Sequence, residues 1–200
     1  ALEAGLPLYC SYGLTEMASQ VTTTLPGSKC ADSGKLLPYR KLRVLESGEI
    51  LVGGQTLARG YLGERPFGEW FATGDVGLID EQGALHLLGR IDNMLISGGE
   101  NIHPEEIERS IELCTGIEQA IVVGLPDEQY GHRPVAFVRA QDNQSVDCES
   151  LSTDLEQHLP RFKLPIHYLN WPDDPEAKQF KPNRKWFAGI AQKLIAAKTA

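Results

Sequence analysis

The stretch GRIDNMLISGGENIHPEEIE, residues 89–108, constrains the fold most, because the hydrophobic pattern of the chain changes across it. Before it, apolar and polar residues alternate in short runs that turn residues separate, which is typical of half-buried strands. After it, Pro104 and the acidic residues that follow favour the start of a helix, since proline suits the first helical position and acids suit its positive end. The pattern therefore predicts an α+β fold in two parts.

Two adjacent glycines in this stretch, Gly98 and Gly99, raise the question of a phosphate-binding loop. Their spacing fits neither G-x-x-x-x-G-K-[ST] nor the strand–turn–helix setting of G-x-G-x-x-G. The spacing favours a joint between two domains instead. We place a β-rich part at residues 1–91 and a small α+β part at residues 92–200.

Each part has its own expected elements. Residues 39–54 form two strand-like runs that meet at Ser47–Gly48, and residues 74–90 repeat this hairpin pattern around a turn at residues 80–83. In the second part we expect, in chain order, a helix from Pro104, strands at 119–126 and 133–140, a helix at Ser150–Leu159, a strand at 165–171, and a last helix capped by Asn183 whose apolar face carries Phe187, Ile190, Ala191 and Leu194.

Charge and composition exclude several classes of partner. The formal net charge of -8 argues against nucleic acid or an anionic membrane as a main partner, since both require a basic surface. No apolar run approaches the roughly 18 residues of a membrane helix, and the first residues do not form a signal peptide. The 4 cysteines are widely and irregularly spaced, which argues against a zinc site or a disulfide framework and favours reduced thiols. We therefore expect a cytoplasmic protein without a membrane span.

Four short motifs carry a resemblance to a known family. In chain order they are SYGLTE at 11–16, WFATGD at 70–75, GRID at 89–92 and SGGENIHPEEIE at 97–108. Each motif alone is weak, but their order and spacing resemble the successive core motifs of the adenylate-forming superfamily, which contains acyl-CoA synthetases, peptide-synthetase adenylation domains and luciferases. The resemblance covers nearly the whole chain. Within the superfamily the chain is most similar to the 2-succinylbenzoate–CoA ligases of menaquinone biosynthesis, by general likeness rather than by a diagnostic motif.

The resemblance implies a reaction in two steps. A small-molecule carboxylic acid attacks the α-phosphate of ATP, with Mg²⁺ bound, to give an acyl-adenylate and pyrophosphate. The thiol of CoA then displaces AMP, and a small C-terminal domain rotates between the two steps. Three alternatives stay open: the same chemistry on another aryl or fatty acid, an adenylation domain that loads a carrier protein, and a non-catalytic module of the same fold.

The first three motifs imply the residues that hold the nucleotide. Tyr12 would stack on adenine, Thr15 would touch phosphate, and Glu16 would hold Mg²⁺, since a carboxylate is a ligand that this cation prefers. Asp75 would accept hydrogen bonds from the ribose hydroxyls, and Arg90 would bond the ribose or a phosphate. The competing interpretations are core packing for the tyrosine, turn or surface positions for the carboxylates, and a surface ion pair for the arginine.

The region between the two parts implies a hinge and a thiol entrance. Asp92 is the expected hinge, because a residue that ends one element can absorb a large backbone change. Gly98 and Gly99 would then lie in a loop that lets the pantetheine arm of CoA pass close to the backbone. A simple loop aspartate is the alternative for Asp92.

A lysine near the C-terminus completes the implied site. In the superfamily it reaches the α-phosphate and the attacking carboxylate and offsets the charge that develops there. Lys181 is the expected residue, because together with Arg184 it fits a K-x-x-R spacing. Phe180 and Pro182 depart from the usual run, so Lys178 remains a second candidate.

The glycine-rich phosphate loop of the superfamily is expected upstream of YGLTE and does not occur in this sequence. The resemblance therefore implies the distal part of an N-terminal domain followed by a C-terminal domain, and little or no ligase activity for these 200 residues alone. Residues up to about 35 would lack their usual packing partners. They would be disordered, rearranged or sheltered against a second copy of the chain, which leaves a homo-oligomer open.

Overall fold

The structure is a computed structural model that describes residues 6–26, 32–141, 146–179 and 182–199. The chain divides into two compact units, Ala1–Asp92 and Asn93–Ala200. The division falls one residue from the boundary that the sequence pattern predicts. The first unit is built from strands, and the second combines a sheet with helices, in agreement with the expected α+β class.

The first unit contains two antiparallel sheets, of order β1-β2-β3 and β4-β5-β6-β7. Its strands are β1 (Ser11–Leu14), β2 (Ser19–Thr23), β3 (Lys35–Leu36), β4 (Arg40–Val44), β5 (Glu49–Gly54), β6 (Trp70–Ile79) and β7 (Leu85–Arg90). The predicted hairpins are β4–β5 and β6–β7. Among the described residues up to 35, Met17 and Val21 are buried in one core cluster with Ile50 and Leu85, whereas Leu6, Tyr9 and Leu25 are exposed.

The second unit is a mixed sheet with helices. Its strands are β8 (Leu95–Ser97), β9 (Glu100–Ile102), β10 (Ile117–Asp127), β11 (Gly131–Ala140) and β12 (His167–Asn170), and its helices are α1 (Pro104–Glu112), α2 (Cys148–Glu156) and α3 (Arg184–Thr199). The sheet order is β10-β11-β8-β9, and β12 pairs with β11 in parallel. The β8–β9 hairpin was not predicted.

The long β10–β11 hairpin separates two cores, because successive side chains of a strand point to opposite faces of the sheet. Val122 belongs to the core that α1 and α2 cover, whereas Val123 belongs to the core that α3 covers through Phe187. The last helix differs from the prediction at one position. Leu194 is 43% exposed instead of lying on the buried face, where Ala191 is fully covered.

The helix α2 begins and ends earlier than predicted. Asp147 is its N-cap and accepts hydrogen bonds from the backbone of Glu149 and Ser150, so the helix begins at Cys148. It ends at Glu156, three residues before Leu159. No helix in the described ranges is long and apolar enough to cross a membrane.

The cysteines contradict the expectation of reduced thiols at one position. Cys10 is disulfide-bonded, whereas Cys114 and Cys148 are free. Cys114 is half-buried, and burial raises the pKa of its thiol above the ordinary value. Wide cysteine spacing in the sequence therefore does not exclude a disulfide bond at Cys10.

Candidate functional site

The carboxylate of Asp75 is the centre of a polar cluster in the first unit. The register of β6 and β7 places Asp75 directly opposite Arg90. The Nη1 atom of Arg90 donates to Oδ1 of Asp75 at 2.7 Å, and the Tyr12 hydroxyl donates to Oδ2 at 2.7 Å. The Asp75 side chain is only 18% exposed, so its two donors hold it in one orientation and the guanidinium balances its charge.

The backbone before Asp75 is fixed by Thr73 and Gly74. The Asp75 N–H donates to Oγ1 of Thr73 at 3.0 Å, and that buried hydroxyl donates to the carbonyl of Ile50 at 2.8 Å. Gly74 has φ +71, and a Cβ atom there would lie 3.1 Å from Nη2 of Arg90. Both the left-handed backbone and the close guanidinium therefore favour glycine. Sequence reasoning missed Thr73, although a hydroxyl two residues before an aspartate in a turn is a known local motif.

Tyr12 lies in the core, as its competing interpretation suggested. Its side chain is 6% exposed and packs in one cluster with Met17 and Val21. Burial raises the pKa of Tyr12 well above its ordinary value, so the phenol stays protonated and acts as the donor to Asp75. Adenine stacking by Tyr12 stays a prediction, whereas its contact with Asp75 is a feature of the structure.

Thr15 and Glu16 lie on a 3₁₀ turn, Thr15–Met17, directly after β1. Ala18 closes this turn in the left-handed region with φ 62, and its N–H donates to the Thr15 carbonyl at 3.0 Å. Thr15 is exposed and Glu16 is half-buried. The hydroxyl of Tyr61, a residue that sequence reasoning did not single out, donates to the Glu16 carboxylate.

No group of three or more His, Cys, Asp or Glu residues that could hold a metal occurs among the described residues. A magnesium ion at Glu16 would meet the carboxylate of that residue and would take further ligands from substrate phosphates and water. Mg²⁺ in nucleotide sites is commonly held this way, by one or two carboxylates plus phosphates. The donor set around Glu16 fits such an ion.

Asp92 ends the first unit within a 3₁₀ turn, Ile91–Asn93. Its side chain is 81% exposed, and its Oδ2 atom lies 3.6 Å from Nη2 of Arg90. One guanidinium therefore faces both the half-buried Asp75 and the proposed hinge residue. Tyr12, Asp75, Arg90 and Asp92 form one connected cluster in this unit.

Gly98 and Gly99 form the two-residue loop of the β8–β9 hairpin, in which Ser97 pairs with Glu100. Their φ values are +59 and +87, as a type I′ turn requires at both central positions. The N–H of Gly98 donates to the Tyr130 carbonyl at 2.9 Å, and a Cβ atom at Gly98 would lie 3.2 Å from the Tyr130 ring. A Cβ atom at Gly99 would meet open space, so the tip is closed on one side and open on the other.

Of the two candidate lysines, only Lys178 is described; Lys181 lies outside the described residues. The ammonium of Lys178 pairs with Oδ1 of Asp173 at 2.7 Å, and both side chains are largely exposed. Asn183 caps α3, because its Oδ1 atom accepts hydrogen bonds from the backbone of Lys185 and Trp186. Position 181 therefore lies two residues before the cap of the last helix.

Arg184, the second residue of the K-x-x-R spacing, forms hydrogen bonds that hold the second unit together. Its Nη2 donates to Oε2 of Glu108 at 2.7 Å and its Nη1 donates to the carbonyl of Val122 at 2.7 Å. A second Arg184 nitrogen also bonds the other oxygen of Glu108. Burial raises the pKa of Glu108, and the ion pair with Arg184 acts in the opposite direction. This bidentate pair fixes the start of α3 to α1 and β10.

Comparison with known proteins identifies relatives over most of the chain. Residues 106–181 match the family model described as the AMP-binding enzyme C-terminal domain. A 2-succinylbenzoate–CoA ligase from Geobacillus sp. (strain WCH70) is 40% identical over 180 residues, which cover 80% of this chain and 36% of the relative.

Two solved structures are also similar to this chain over most of its length. The o-succinylbenzoate CoA synthetase (MenE) from Bacillus subtilis, in complex with the acyl-adenylate intermediate OSB-AMP, is 28% identical with a TM-score of 0.82, over 93% of this chain and 42% of that one. The same enzyme in complex with ATP and magnesium ion is 29% identical with a TM-score of 0.79, over 92% and 42%. The chain thus spans well under half the length of the proteins that it matches.

Proposed function

Because this chain belongs to the adenylate-forming superfamily of AMP-binding enzymes, we propose that the protein carrying it is an ATP- and CoA-dependent acid–thiol ligase. We assign 2-succinylbenzoate as its acid and 2-succinylbenzoyl-CoA as its product, in menaquinone biosynthesis. The observation that carries the proposal is the 40% identity over 180 residues with a 2-succinylbenzoate–CoA ligase. ATP and CoA as substrates suit a cytoplasmic enzyme.

The geometry around Asp75 supports nucleotide binding. An ionised carboxylate offers about four acceptor positions on its two oxygens, and Tyr12 and Arg90 occupy one on each oxygen. One position on each oxygen remains for the two ribose hydroxyls. Arg90 keeps the carboxylate oriented, and we assign it a direct contact with the ribose or a phosphate as well.

We assign three further residues to contacts with the ATP phosphates or with their magnesium ion. Thr15 is exposed and Glu16 is half-buried on the same turn, so we assign the hydroxyl to a phosphate contact and the carboxylate to magnesium. Magnesium bound with ATP would neutralise charge on the phosphate oxygens. Lys181 would act on the α-phosphate and on the attacking carboxylate, where charge develops in the transition state.

The second step would use the second unit. We propose that Asp92 is the hinge, because it ends the first unit and its side chain is exposed. The Gly98–Gly99 tip would line the entrance for the pantetheine thiol, since Gly99 has no neighbour in the space that a side chain would fill. Glycine at this tip lets a narrow ligand approach the backbone closely.

Assays on the full-length protein test the proposal. With ATP, Mg²⁺ and CoA, we expect 2-succinylbenzoate to support both pyrophosphate exchange and thioester formation, and to exceed a panel of aryl and fatty acids in kcat/KM. Preference for another acid would refute the assigned substrate, and no exchange with any acid would refute the ligase itself. The 200 residues alone lack the phosphate loop, so we expect little or no ligase activity from them.

A further inference from the structure

Tyr61 is placed beside Glu16 by a closed loop between β5 and β6 in the first unit. The hydroxyl of Tyr61 donates to Oε1 of Glu16, although 45 residues separate the two in the chain. The same loop also holds the backbone of Glu16, because the Ala58 N–H donates to the Glu16 carbonyl at 2.7 Å. Side chain and main chain of Glu16 are therefore both fixed by one segment.

The loop has its own internal supports. The Phe67 N–H donates to the Arg59 carbonyl at 2.8 Å and closes the segment at its base. The ring of Tyr61 packs edge-on against Phe67, with ring centroids 5.1 Å apart. Gly60 has φ +147, and a Cβ atom there would lie 3.1 Å from the Arg65 carbonyl oxygen, so the close chain crossing favours glycine. These contacts fix the loop from which the Tyr61 side chain extends to Glu16.

We infer that Tyr61 is a positioning residue for the magnesium-binding carboxylate of Glu16, an inference that rests on the ligase function proposed above. Glu16 lies on a short turn and is half-exposed, so without a partner its side chain would sample several rotamers. The Tyr61 hydrogen bond selects one of them. Carboxylates that bind metals are commonly held by such a second hydrogen bond.

The hydrogen bond leaves room for the cation. Tyr61 bonds Oε1 of Glu16, and Oε2 receives no hydrogen bond from it. A carboxylate has acceptor positions on both oxygens, so one oxygen can accept the phenol while the other faces an ion. Tyr61 and the cation therefore act on Glu16 together rather than in competition.

The test replaces Tyr61 with phenylalanine in the full-length protein, which removes the hydroxyl and keeps the ring contact with Phe67. Binding of Mn²⁺, as a spectroscopic substitute for Mg²⁺, is measured by electron paramagnetic resonance with a non-hydrolysable ATP analogue bound. We expect Tyr61→Phe to raise the Mn²⁺ dissociation constant about tenfold or more, as for other outer-shell partners of metal ligands. The Mg²⁺ concentration for half-maximal pyrophosphate exchange should rise by the same factor, with KM for the acid within about twofold of wild type.

Tyr39→Phe is the matched control, because Tyr39 is 71% exposed in the same unit, and it should bind Mn²⁺ like wild type. Glu16→Gln should weaken Mn²⁺ binding more than Tyr61→Phe does. Unchanged or tighter Mn²⁺ binding by Tyr61→Phe, in a protein whose wild type is active, would overturn the inference and leave the ligase function standing. A wild type without pyrophosphate exchange would instead count against the proposed function.

Discussion

At the scale of single residues, Asp75 is held in one orientation by groups of its own unit. Arg90 and Tyr12 each bond one of its oxygens at 2.7 Å, and Thr73 fixes its backbone N–H. If Asp75 binds the ribose as we propose, this arrangement lowers the cost of ordering the carboxylate, since most of its rotamer freedom is already lost. Asp75 differs in this respect from an ordinary turn aspartate on a surface.

Replacing Asp75 with asparagine tests this role. The amide nitrogen cannot accept a hydrogen bond, so one of the two donors, Arg90 or Tyr12, loses its acceptor. The amide nitrogen also cannot accept from a ribose hydroxyl. Because a hydrogen bond to a charged group contributes about 1.5–3 kcal/mol, we expect KM for ATP in pyrophosphate exchange to rise about tenfold or more. Glu69→Gln is the control, since Glu69 forms an exposed pair with Lys41 and should leave KM unchanged. A KM for Asp75→Asn within about twofold of wild type would contradict the ribose role.

The choice between two lysines is a second question at this scale. Lys181→Ala should lower the pyrophosphate exchange rate by about 100-fold or more, because the cation that we assign to the developing charge is lost. It should leave thioester formation from a preformed acyl-adenylate nearly unchanged. Lys178→Ala removes an exposed pair with Asp173 and should leave both half-reactions intact. The reverse result, with exchange lost only in Lys178→Ala, would show that the assignment to Lys181 is wrong.

At the scale of elements, the sequence predicted those hairpins whose turn residues separate long alternating runs. The β4–β5 and β6–β7 hairpins were predicted because Ser47–Gly48 and the turn at 80–83 separate long alternating runs. The β8–β9 hairpin was missed, since its strands have only three residues each and the glycine pair between them suggested a domain joint. The structure shows that the pair is a turn inside the second unit, six residues beyond Asp92.

The sequence predicted the candidate site only in part. Asp75 and Arg90 follow from motif resemblance, and the register of β6 and β7 then brings them together. Tyr61 carries no motif signal, because its contact with Glu16 depends on how a glycine- and proline-containing loop closes in space. Burial of Tyr12 was likewise not decidable from its motif, which suits a stacked ring and a packed one equally. Contacts between segments far apart in sequence were the part that sequence patterns could not supply.

The turn of the β6–β7 hairpin gives a prediction about pH. Oδ1 of Asp80 accepts the Ala84 N–H at 2.9 Å, and Oδ2 contacts Nε2 of His86 at 2.8 Å. The contact with His86, and then the backbone bond from Ala84, hold the pKa of Asp80 below its ordinary value. Such a carboxylate stabilises the folded state at pH above its unfolded pKa, and this stabilisation is lost as the pH falls through the folded pKa.

We therefore expect Asp80→Asn to lower Tm at about pH 6, with a difference from wild type that shrinks as the pH falls toward about 3. Glu81→Gln, in the same turn and exposed, should follow wild type over the whole range. Thermal unfolding followed by circular dichroism measures both variants. A Tm difference that grows as the pH falls would mean that the carboxylate does not stabilise this hairpin.

At the scale of the whole molecule, the chain is two units joined at Asp92 and Asn93. The change in hydrophobic pattern predicts a boundary between residues 91 and 92, because strands and helices require different periods of apolar residues. The connected cluster of Tyr12, Asp75, Arg90 and Asp92 belongs to the first unit, and the Gly98–Gly99 tip belongs to the second. A two-step reaction on such a chain needs a backbone joint that can change conformation between the steps.

Asp92→Pro tests that joint. Proline fixes φ near −65° and restricts the preceding residue, Ile91, so the joint loses much of its backbone freedom. We expect the two half-reactions, pyrophosphate exchange and thioester formation from a preformed acyl-adenylate, to separate in this variant, with one reduced about tenfold or more relative to the other. Asp92→Ala distinguishes loss of backbone freedom from loss of the carboxylate near Arg90, and it should not separate the two rates. If both half-reactions of Asp92→Pro kept the wild-type ratio, rotation about residue 92 would not be part of the catalytic cycle.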